Sequence, residues 1–196
     1  MIAIIDYGMG NLRSLENALG RLGAEFEVTS DPSVILSADR VVLPGVGNAG
    51  KAVDNLQERG LVDVIKSVRR PVLGICVGMQ VLCLSSEEAP GKEGLGIFDT
   101  RVRRFPATSS DKVPHMGWNT LSNMEGKLLN GLPQNPWFYF VHSYYASTCT
   151  DTVATCSYAG IMFSAVLRYE NFYGTQFHPE KSGDAGEAIL KNFLEL

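Results

Sequence analysis

Val72-Leu-Gly-Ile-Cys-Val-Gly-Met-Gln80 is the stretch of the chain that best predicts both its fold and its chemistry. The stretch begins with a short apolar run typical of a buried strand, and a helix is predicted directly after Cys76. Gly74 and Gly78, two residues to either side, allow a strand and a helix to pack closely around a sharp turn. The sequence therefore predicts an elbow that places a cysteine at a helix N-terminus, where the positive end of the helix dipole stabilises a thiolate.

Similar strands precede the elbow and alternate with predicted helices. The strands are expected at residues 2–5, 24–29, 41–43 and 71–75, and the helices at residues 12–22 and 52–68, the second interrupted near Gly60. Strands that are apolar throughout and alternate with helices imply a parallel sheet with both faces covered. The first half of the chain is therefore predicted to be α/β.

The second half of the chain has a different sequence pattern. Residues 94–174 contain short alternating or aromatic segments between Gly, Pro and Asn clusters, which predicts a β-rich region, and the segments 137–141, 161–167 and 173–177 are its clearest strands. A last helix, at residues 185–196, has an apolar face that would close the sheet. The predicted fold is α/β in three layers, with a mainly parallel central sheet flanked by helices and an added antiparallel β region. With 196 residues the chain is expected to form one domain, 1–196.

Composition excludes several classes of protein. Hydrophobic residues make up 45% of the chain, charged residues 19%, and the net charge is −4, which describes an ordinary globular protein and argues against nucleic-acid binding. The sequence has no run of 18 apolar residues and no basic leader, so neither a membrane span nor secretion is expected. Four cysteines without CxxC spacing and only three histidines predict reduced thiols and no metal site. We expect a cytoplasmic protein.

A second motif lies a hundred residues after the cysteine, in Gly174-Thr-Gln-Phe-His-Pro-Glu180. Pro179 excludes a helix interior. In an extended segment residues i and i+2 face the same side, so Glu180 is expected to orient the imidazole of His178. Alone, the pair would more often be a strand-end histidine beside an exposed acid. Combined with the cysteine elbow, it predicts a Cys-His-Glu triad.

The two motifs together resemble those of the class I glutamine amidotransferases, which carry a Cys-His-Glu triad on a flavodoxin-like sheet. Further strings narrow the resemblance to the glutaminase subunits of imidazole glycerol phosphate synthases, in histidine biosynthesis: Asp6-Tyr-Gly-Met-Gly-Asn11, Leu43-Pro-Gly-Val-Gly47, Lys112-Val-Pro-His-Met-Gly-Trp-Asn119, His142-Ser-Tyr-Tyr145 and His178-Pro-Glu-Lys-Ser-Gly183. The resemblance spans nearly the whole chain, and residues 85–111 contribute least to it. It implies L-glutamine as substrate, no cofactor, and a heterodimer with a (β/α)8-barrel cyclase that uses the ammonia to make imidazole glycerol phosphate and AICAR.

The resemblance also implies roles for individual residues. Cys76 would attack the glutamine amide, His178 would transfer protons and Glu180 would orient it. The oxyanion would be bound by the N–H of Val77 and by the strand of Gly45, Val46 and Gly47, in which a peptide flip is expected. The residues that match positions holding the amino-acid end of glutamine are Gln80, Ser143 and Tyr144. Those that match positions facing the barrel are Asn11, Trp118, Tyr139 and Lys181.

Two glycine-rich strings suggest other ligands. Gly45-Val-Gly-Asn-Ala-Gly-Lys51 fits a phosphate loop, but Ala52 replaces the hydroxyl that binds magnesium. Gly8-Met-Gly10 begins a dinucleotide fingerprint in which Arg13 replaces the third glycine. The other chemically notable residues are expected to be structural: His115 and His142 as loop or scaffold residues, and Cys83, Cys149 and Cys156 as small buried apolar residues.

Three functions therefore remain open from sequence. The first is the histidine-pathway glutaminase. The second is another amidotransferase, or a γ-glutamyl hydrolase of the same fold, which would keep the triad without needing this partner. The third is a non-catalytic or nucleotide-binding α/β module in which the phosphate-loop-like string matters.

Overall fold

The computed structural model describes residues 1–106 and 111–196. In chain order its elements are β1 (Ile2–Ile5), α1 (Leu12–Arg21), β2 (Phe26–Thr29), α2 (Pro32–Ser37), β3 (Arg40–Leu43), α3 (Ala49–Glu58), α4 (Leu61–Ser67), β4 (Val72–Ile75), α5 (Val77–Val81), β5 (Cys83–Ser86), β6 (Phe98–Arg104), β7 (His115–Thr120), β8 (Trp137–His142), β9 (Tyr144–Ala146), β10 (Thr152–Tyr158), β11 (Ile161–Tyr169), β12 (Phe172–Thr175) and α6 (Gly183–Glu195). Short 3-10 turns lie at Lys127–Leu129 and Pro179–Lys181.

The central sheet has seven strands in the order β10-β11-β12-β4-β3-β1-β2. Neighbours from β2 to β12 pair in parallel, and β11 and β10 continue the sheet antiparallel. The order β2-β1-β3-β4-β12 is that of flavodoxin-like folds, so the predicted fold class is confirmed. In such sheets ligands bind beyond the carboxyl ends of the strands, next to the point where the strand order reverses, which here lies between β1 and β3.

The added β region consists of two smaller sheets, β5-β6-β9 and the β7-β8 hairpin. Along β6 buried and exposed residues alternate, as expected for a strand with one covered face. The predicted β-rich second half is thus confirmed, and the part of that prediction at residues 107–110 lies outside the described residues.

Local capping explains where the helices differ from prediction. The predicted helix 52–68 is two helices, and Gly60 between them has φ +65°, which agrees with the expected interruption. The first of the two, α3, starts three residues early because the Asn48 side chain accepts a hydrogen bond from the Lys51 N–H, at 2.9 Å. Helix α2 was not predicted. Asp31 caps it by accepting from the Ser33 N–H at 2.8 Å, and Pro32 occupies its first turn.

None of the helices among the described residues is long and apolar enough to cross a membrane.

Candidate active site

The elbow at Cys76 joins β4 to α5 in a strained backbone conformation. Cys76 has φ +53° and ψ −109°, which is rare for a residue with a side chain and is retained only where the surroundings enforce it. Its N–H donates to the Thr175 carbonyl of β12 at 2.7 Å, which ties the turn to the neighbouring strand. Helix α5 has only five residues, so fewer aligned peptide dipoles face the sulfur than the sequence suggested.

Glycines make this turn sterically possible. A Cβ added at Gly78 would lie 1.9 Å from the Leu43 carbonyl oxygen, and one at Gly74 would lie 2.8 Å from the Gly78 carbonyl carbon. A Cβ at Gly45, in the segment after β3, would lie 2.4 Å from the Gly78 nitrogen. Backbone therefore packs directly on backbone at three points, and the predicted oxyanion segment lies against the elbow.

His178 and Glu180 meet through a turn. Strand β12 ends at Thr175, and Glu180 lies in the 3-10 turn that follows His178. The expectation that an extended segment aligns the two side chains is therefore wrong, yet the turn brings His178 Nδ1 to 2.8 Å from Glu180 Oε1. Both side chains are nearly fully buried, at 2% and 4% exposure, so solvent screens this pair little.

The charge state of His178 follows from its neighbours. Burial opposes protonation, but contacts with Cys76 and Glu180 outweigh it and raise the pKa of His178 to about 10. Nδ1–H then donates to Glu180, while Nε2 is buried and makes no hydrogen bond of ordinary geometry within the described chain. At neutral pH the raised pKa favours the imidazolium form of His178, whose Nε2–H can be donated toward Cys76.

A cavity of about 290 Å³ lies over the elbow. Eight of the predicted site residues line it: Val46, Gly47, Cys76, Val77, Gln80, Ser143, Tyr144 and His178. Gly45 and Glu180 do not. They border a second cavity of about 10 Å³ behind His178, together with Asn11. The fold therefore brings the predicted nucleophile, base and oxyanion segment to one place.

Sequence reasoning missed two polar residues of this site. Glu88 lines the cavity, and its carboxylate accepts from the Ala49 N–H at 2.7 Å. Gln176, fully buried, donates from Nε2 to Cys76 Sγ at 3.6 Å. Its position inside the string 174–180, two residues before His178, was the available signal.

The Gln80 side chain makes more hydrogen bonds within the protein than expected. Its Nε2 donates to the Tyr144 carbonyl at 3.0 Å and to Gln176 Oε1 at 2.9 Å, which uses both of its N–H groups. Only its carbonyl oxygen remains for a ligand.

His115 and His142 form a buried pair on β7 and β8. His115 Nδ1 lies 3.0 Å from His142 Nε2, and His115 stacks on Tyr158 with ring centroids 4.0 Å apart. Burial lowers the pKa of His115 to about 4, and burial, assisted by the neighbouring histidines, lowers that of His142 to about 3. Both are therefore neutral scaffold residues, on strands rather than on loops.

This pair predicts that the protein loses stability in mild acid. The two rings stay neutral in the folded state, whereas histidines of the unfolded chain protonate below about pH 6.5. Because the unfolded state then binds more protons, the unfolding free energy decreases as the pH is lowered. The raised pKa of His178 has the opposite sign, and its contribution is fully present below about pH 6.5. We expect a loss on the order of 3 kcal/mol in unfolding free energy between pH 6.5 and 4.5, measured by urea denaturation. His115→Phe, which retains a stacked ring without a titrating group, should reduce that loss markedly; an unchanged slope would contradict the assignment.

The predicted partner-facing residues lie on three separate segments: Trp118 and Tyr139 on the β7-β8 hairpin, Lys181 in the turn after His178, and Asn11 before α1. Trp118 is 53% exposed and contacts Tyr139 edge to face, with centroids 6.1 Å apart. The Tyr139 carbonyl accepts from the His178 N–H at 3.0 Å, so this hairpin holds the backbone of the histidine. Lys181 is exposed in the turn after it, and Asn11 is half-buried before α1.

The phosphate-loop reading fails on geometry. The free N–H groups at the start of α3 would have to bind phosphate. Instead the Ala49 N–H is bonded to Glu88, and the Lys51 N–H to Asn48. A carboxylate already occupies the place of the anion.

The remaining cysteines are unpaired. Cys83 and Cys156 are buried, and burial raises the pKa of both thiols, that of Cys156 to about 12. Cys149 is only half-buried, so the expectation of full burial was wrong there. In the part of the chain that the structure describes, no group of three or more His, Cys, Asp and Glu side chains is arranged to hold a metal ion.

The known sequences that are similar to this chain agree on one family. The sequence model described as "Glutamine amidotransferase class-I" matches residues 3–196. A Bacteroides fragilis protein is 53% identical over 196 residues, covering 100% of this chain and 99% of the relative. A Methanothermobacter thermautotrophicus protein is 47% identical over 199 residues, covering 100% and 98%. Both are named imidazole glycerol phosphate synthase subunit HisH.

Solved structures give the same fold. A putative GMP synthase protein from Thermoplasma acidophilum matches with a TM-score of 0.76 and 24% identity, covering 99% of this chain and 92% of that one. PurLQS from Thermotoga maritima matches with a TM-score of 0.72 and 17% identity, covering 99% and 97%. At these identities the similarity supports the fold alone.

Proposed function

The chain belongs to the class-I glutamine amidotransferase family, and on that premise we propose that it is the glutaminase subunit of an imidazole glycerol phosphate synthase, with Cys76, His178 and Glu180 as its catalytic triad. The observation that supports the triad is the cavity of about 290 Å³, which both the strained Cys76 and His178 line, with no hydrogen-bond partner for His178 Nε2 among the described residues. The assignment to this synthase draws on full-length relatives at about half identity that bear its name.

In the proposed reaction the Cys76 thiolate attacks the side-chain amide carbon of glutamine. Negative charge develops on the amide oxygen, where the Val77 N–H and the segment of Gly45, Val46 and Gly47 stabilise it. One peptide of that segment flips to turn its N–H toward the oxyanion. His178, charged and braced by Glu180, gives its Nε2 proton to the departing ammonia as the C–N bond breaks, which leaves a γ-glutamyl thioester.

Hydrolysis completes the cycle. The now neutral His178 takes a proton from a water molecule, which attacks the thioester carbon. The C–S bond breaks, its electron pair returns to sulfur, and glutamate leaves. Glu180 stays ionised throughout and stabilises the imidazolium as it re-forms.

The substrate's amino-acid end is proposed to lie between Gln80, Ser143 and Tyr144 on one wall and Glu88 on another. The Glu88 carboxylate supplies charge opposite to that of the α-ammonium group, and the Gln80 carbonyl oxygen is free to accept from it. The Gln80 N–H groups are already bonded within the protein, so they do not bind substrate.

Membership of a synthase implies a second protein chain, and we propose a (β/α)8-barrel cyclase that consumes the ammonia. The exposed face of the β7-β8 hairpin supports docking here: Met116, Trp118 and Trp137 are 63%, 53% and 59% exposed. An exposed apolar patch of this kind is typical of an interaction surface. Asn11, Tyr139 and Lys181 complete the proposed interface around His178.

We further propose that residues 1–196 act as one catalytic domain and that the enzyme works in the cytoplasm. The family match spans residues 3–196. A nucleophilic thiolate must stay reduced, which the cytoplasm ensures.

The proposal predicts glutamine hydrolysis that depends on the partner. We expect the isolated chain to release little glutamate, and the complex with the cyclase barrel and its ribosyl substrate to be faster by about 100-fold. Enzymatic measurement of glutamate with and without the barrel tests this, with Cys76→Ser in the complex as the blank.

The other outcomes separate the rival functions. Rapid hydrolysis by the chain alone would favour a different amidotransferase or a γ-glutamyl hydrolase. Tight binding of a magnesium nucleotide without any hydrolysis in either state would favour a nucleotide-binding module and contradict the proposal.

A further inference from the structure

Two uncharged groups of the described chain lie within hydrogen-bonding distance of the Cys76 sulfur, and they differ in what they can offer a thiolate. Gln176 Nε2 lies 3.6 Å from Sγ and can donate a hydrogen bond. The Val141 carbonyl oxygen lies 4.0 Å away and can only accept one, so it can hold the neutral thiol but repels the ionised sulfur. A thiolate is stabilised by donors, so of these two groups only Gln176 favours the reactive form.

The direction of the Gln176 amide is fixed by the groups behind it. Gln80 Nε2 lies 3.0 Å from the Tyr144 carbonyl oxygen, which can only accept, so Gln80 must turn its NH₂ group that way. The second N–H of the same group then donates to Gln176 Oε1 at 2.9 Å. Gln176 is left with its own NH₂ group facing the sulfur.

A second set of bonds holds the Tyr144 carbonyl from its other side. His142 Nδ1 lies 2.7 Å from that oxygen and must carry a proton to bond to it. Because His142 is neutral, its Nε2 accepts, and it takes the Nδ1–H of His115 at 3.0 Å. Two donors thus fill both lone pairs of one backbone oxygen, which locks the orientation of Gln80 and, through it, of Gln176.

The ionisable side chains near the Cys76 sulfur have other roles, so the uncharged amide of Gln176 is the group that donates a hydrogen bond to the thiolate. His178, with Glu180 behind it, supplies the positive charge. Tyr7 stays protonated because burial, and then the proximity of Cys76, raise its pKa above the usual range, and its hydroxyl donates to the Pro44 carbonyl at 2.6 Å. His142 is neutral and bonded elsewhere. The short helix α5 adds only a small dipole.

We propose that Gln176 is a further catalytic residue: its side-chain amide donates to the Cys76 sulfur, holds the thiolate for attack, and meets the charge that returns to sulfur when the thioester breaks. Gln80 acts through Gln176 as a positioning residue. The inference rests on the proposed glutaminase function and extends it. Once His178 has passed its proton to ammonia it is no longer a cation, whereas the amide is unchanged, so Gln176 is available in both halves of the reaction.

The test is the pH profile of Cys76 alkylation by iodoacetamide in the full complex with the cyclase barrel, followed by mass spectrometry of the Cys76 peptide. Gln176→Met retains an unbranched side chain of similar size without the N–H donor. We expect its alkylation midpoint to rise by about one pH unit, and alkylation below the midpoint to slow about tenfold. Gln57→Met, the same change on the exposed face of α3, should leave the profile unchanged.

A folded Gln176→Met protein with the wild-type profile would overturn the proposal. If that variant does not fold, Gln176→Glu decides: an isosteric carboxylate should raise the midpoint further, and an unchanged midpoint overturns the proposal. A third measurement needs no variant. In the wild-type protein the Gln176 side-chain NH₂ resonances should shift with the same midpoint as alkylation, and their failure to shift would also overturn it.

Alkylation needs no glutamine, so the two proposals fail separately. A complex whose Cys76 responds to Gln176 as expected, but which hydrolyses no glutamine, would contradict the proposed function alone.

Discussion

Replacing Cys76 by alanine is expected to abolish glutamine hydrolysis, with a fall of at least about 10⁴-fold in kcat in the complex. No other described side chain lining the cavity offers a nucleophile held in the same strained turn, and without the sulfur no thioester forms. The side chain is small and 3% exposed, so its removal should leave the fold and partner binding largely intact. Glutamate release, thermal melting and gel filtration with the cyclase barrel measure the three properties.

Cys149→Ala is the matched control, because this half-buried cysteine does not line the cavity. It should retain wild-type turnover. A Cys76→Ala protein that keeps turnover within about tenfold of wild type would remove Cys76 from the mechanism.

His178→Ala and Glu180→Gln are expected to differ, because only the histidine transfers a proton. Loss of the imidazole should cost about 10⁴-fold in kcat, and the glutamate change about 10²-fold. Without the Glu180 charge, burial weighs more heavily and the pKa of His178 falls below about 10. The imidazolium that protonates ammonia is then lost at lower pH, so the alkaline limit of activity should shift downward in Glu180→Gln.

A pH profile of kcat for both variants tests this division of labour. Glu187→Gln, on the exposed face of α6, is the control for the same chemical change and should leave the profile unaltered. Equal losses in His178→Ala and Glu180→Gln, or an unshifted alkaline limit in Glu180→Gln, would contradict it.

The features predictable from sequence were those with local causes. The glycines around Cys76 are needed because a Cβ at either position would meet backbone, and such steric demands are visible in a single string. Apolar strands alternating with helices indicated the parallel sheet in the same way. The family resemblance drawn from these strings is confirmed by the match over residues 3–196.

The features that were missed depend on distant or subtle partners. The position of Gln176 in the string 174–180 indicated that it lies near His178, but its two partners, Gln80 and Cys76, are 96 and 100 residues away and nothing local identifies them. The start of α3 was missed because one asparagine side chain moved it. The His178–Glu180 contact was anticipated for the wrong reason, since a turn and not an extended segment produces it.

The glycine contacts beneath the site limit how such an enzyme can be redesigned. A methyl group at Gly45 would meet the main chain of Gly78, and one at Gly78 would meet the Leu43 carbonyl, so neither glycine can accept a side chain without displacing backbone. Directed evolution toward a different amide substrate would have to retain both glycines. Ser143, Tyr144 and Glu88, which line the same cavity away from these glycines, are the positions at which to vary the site instead.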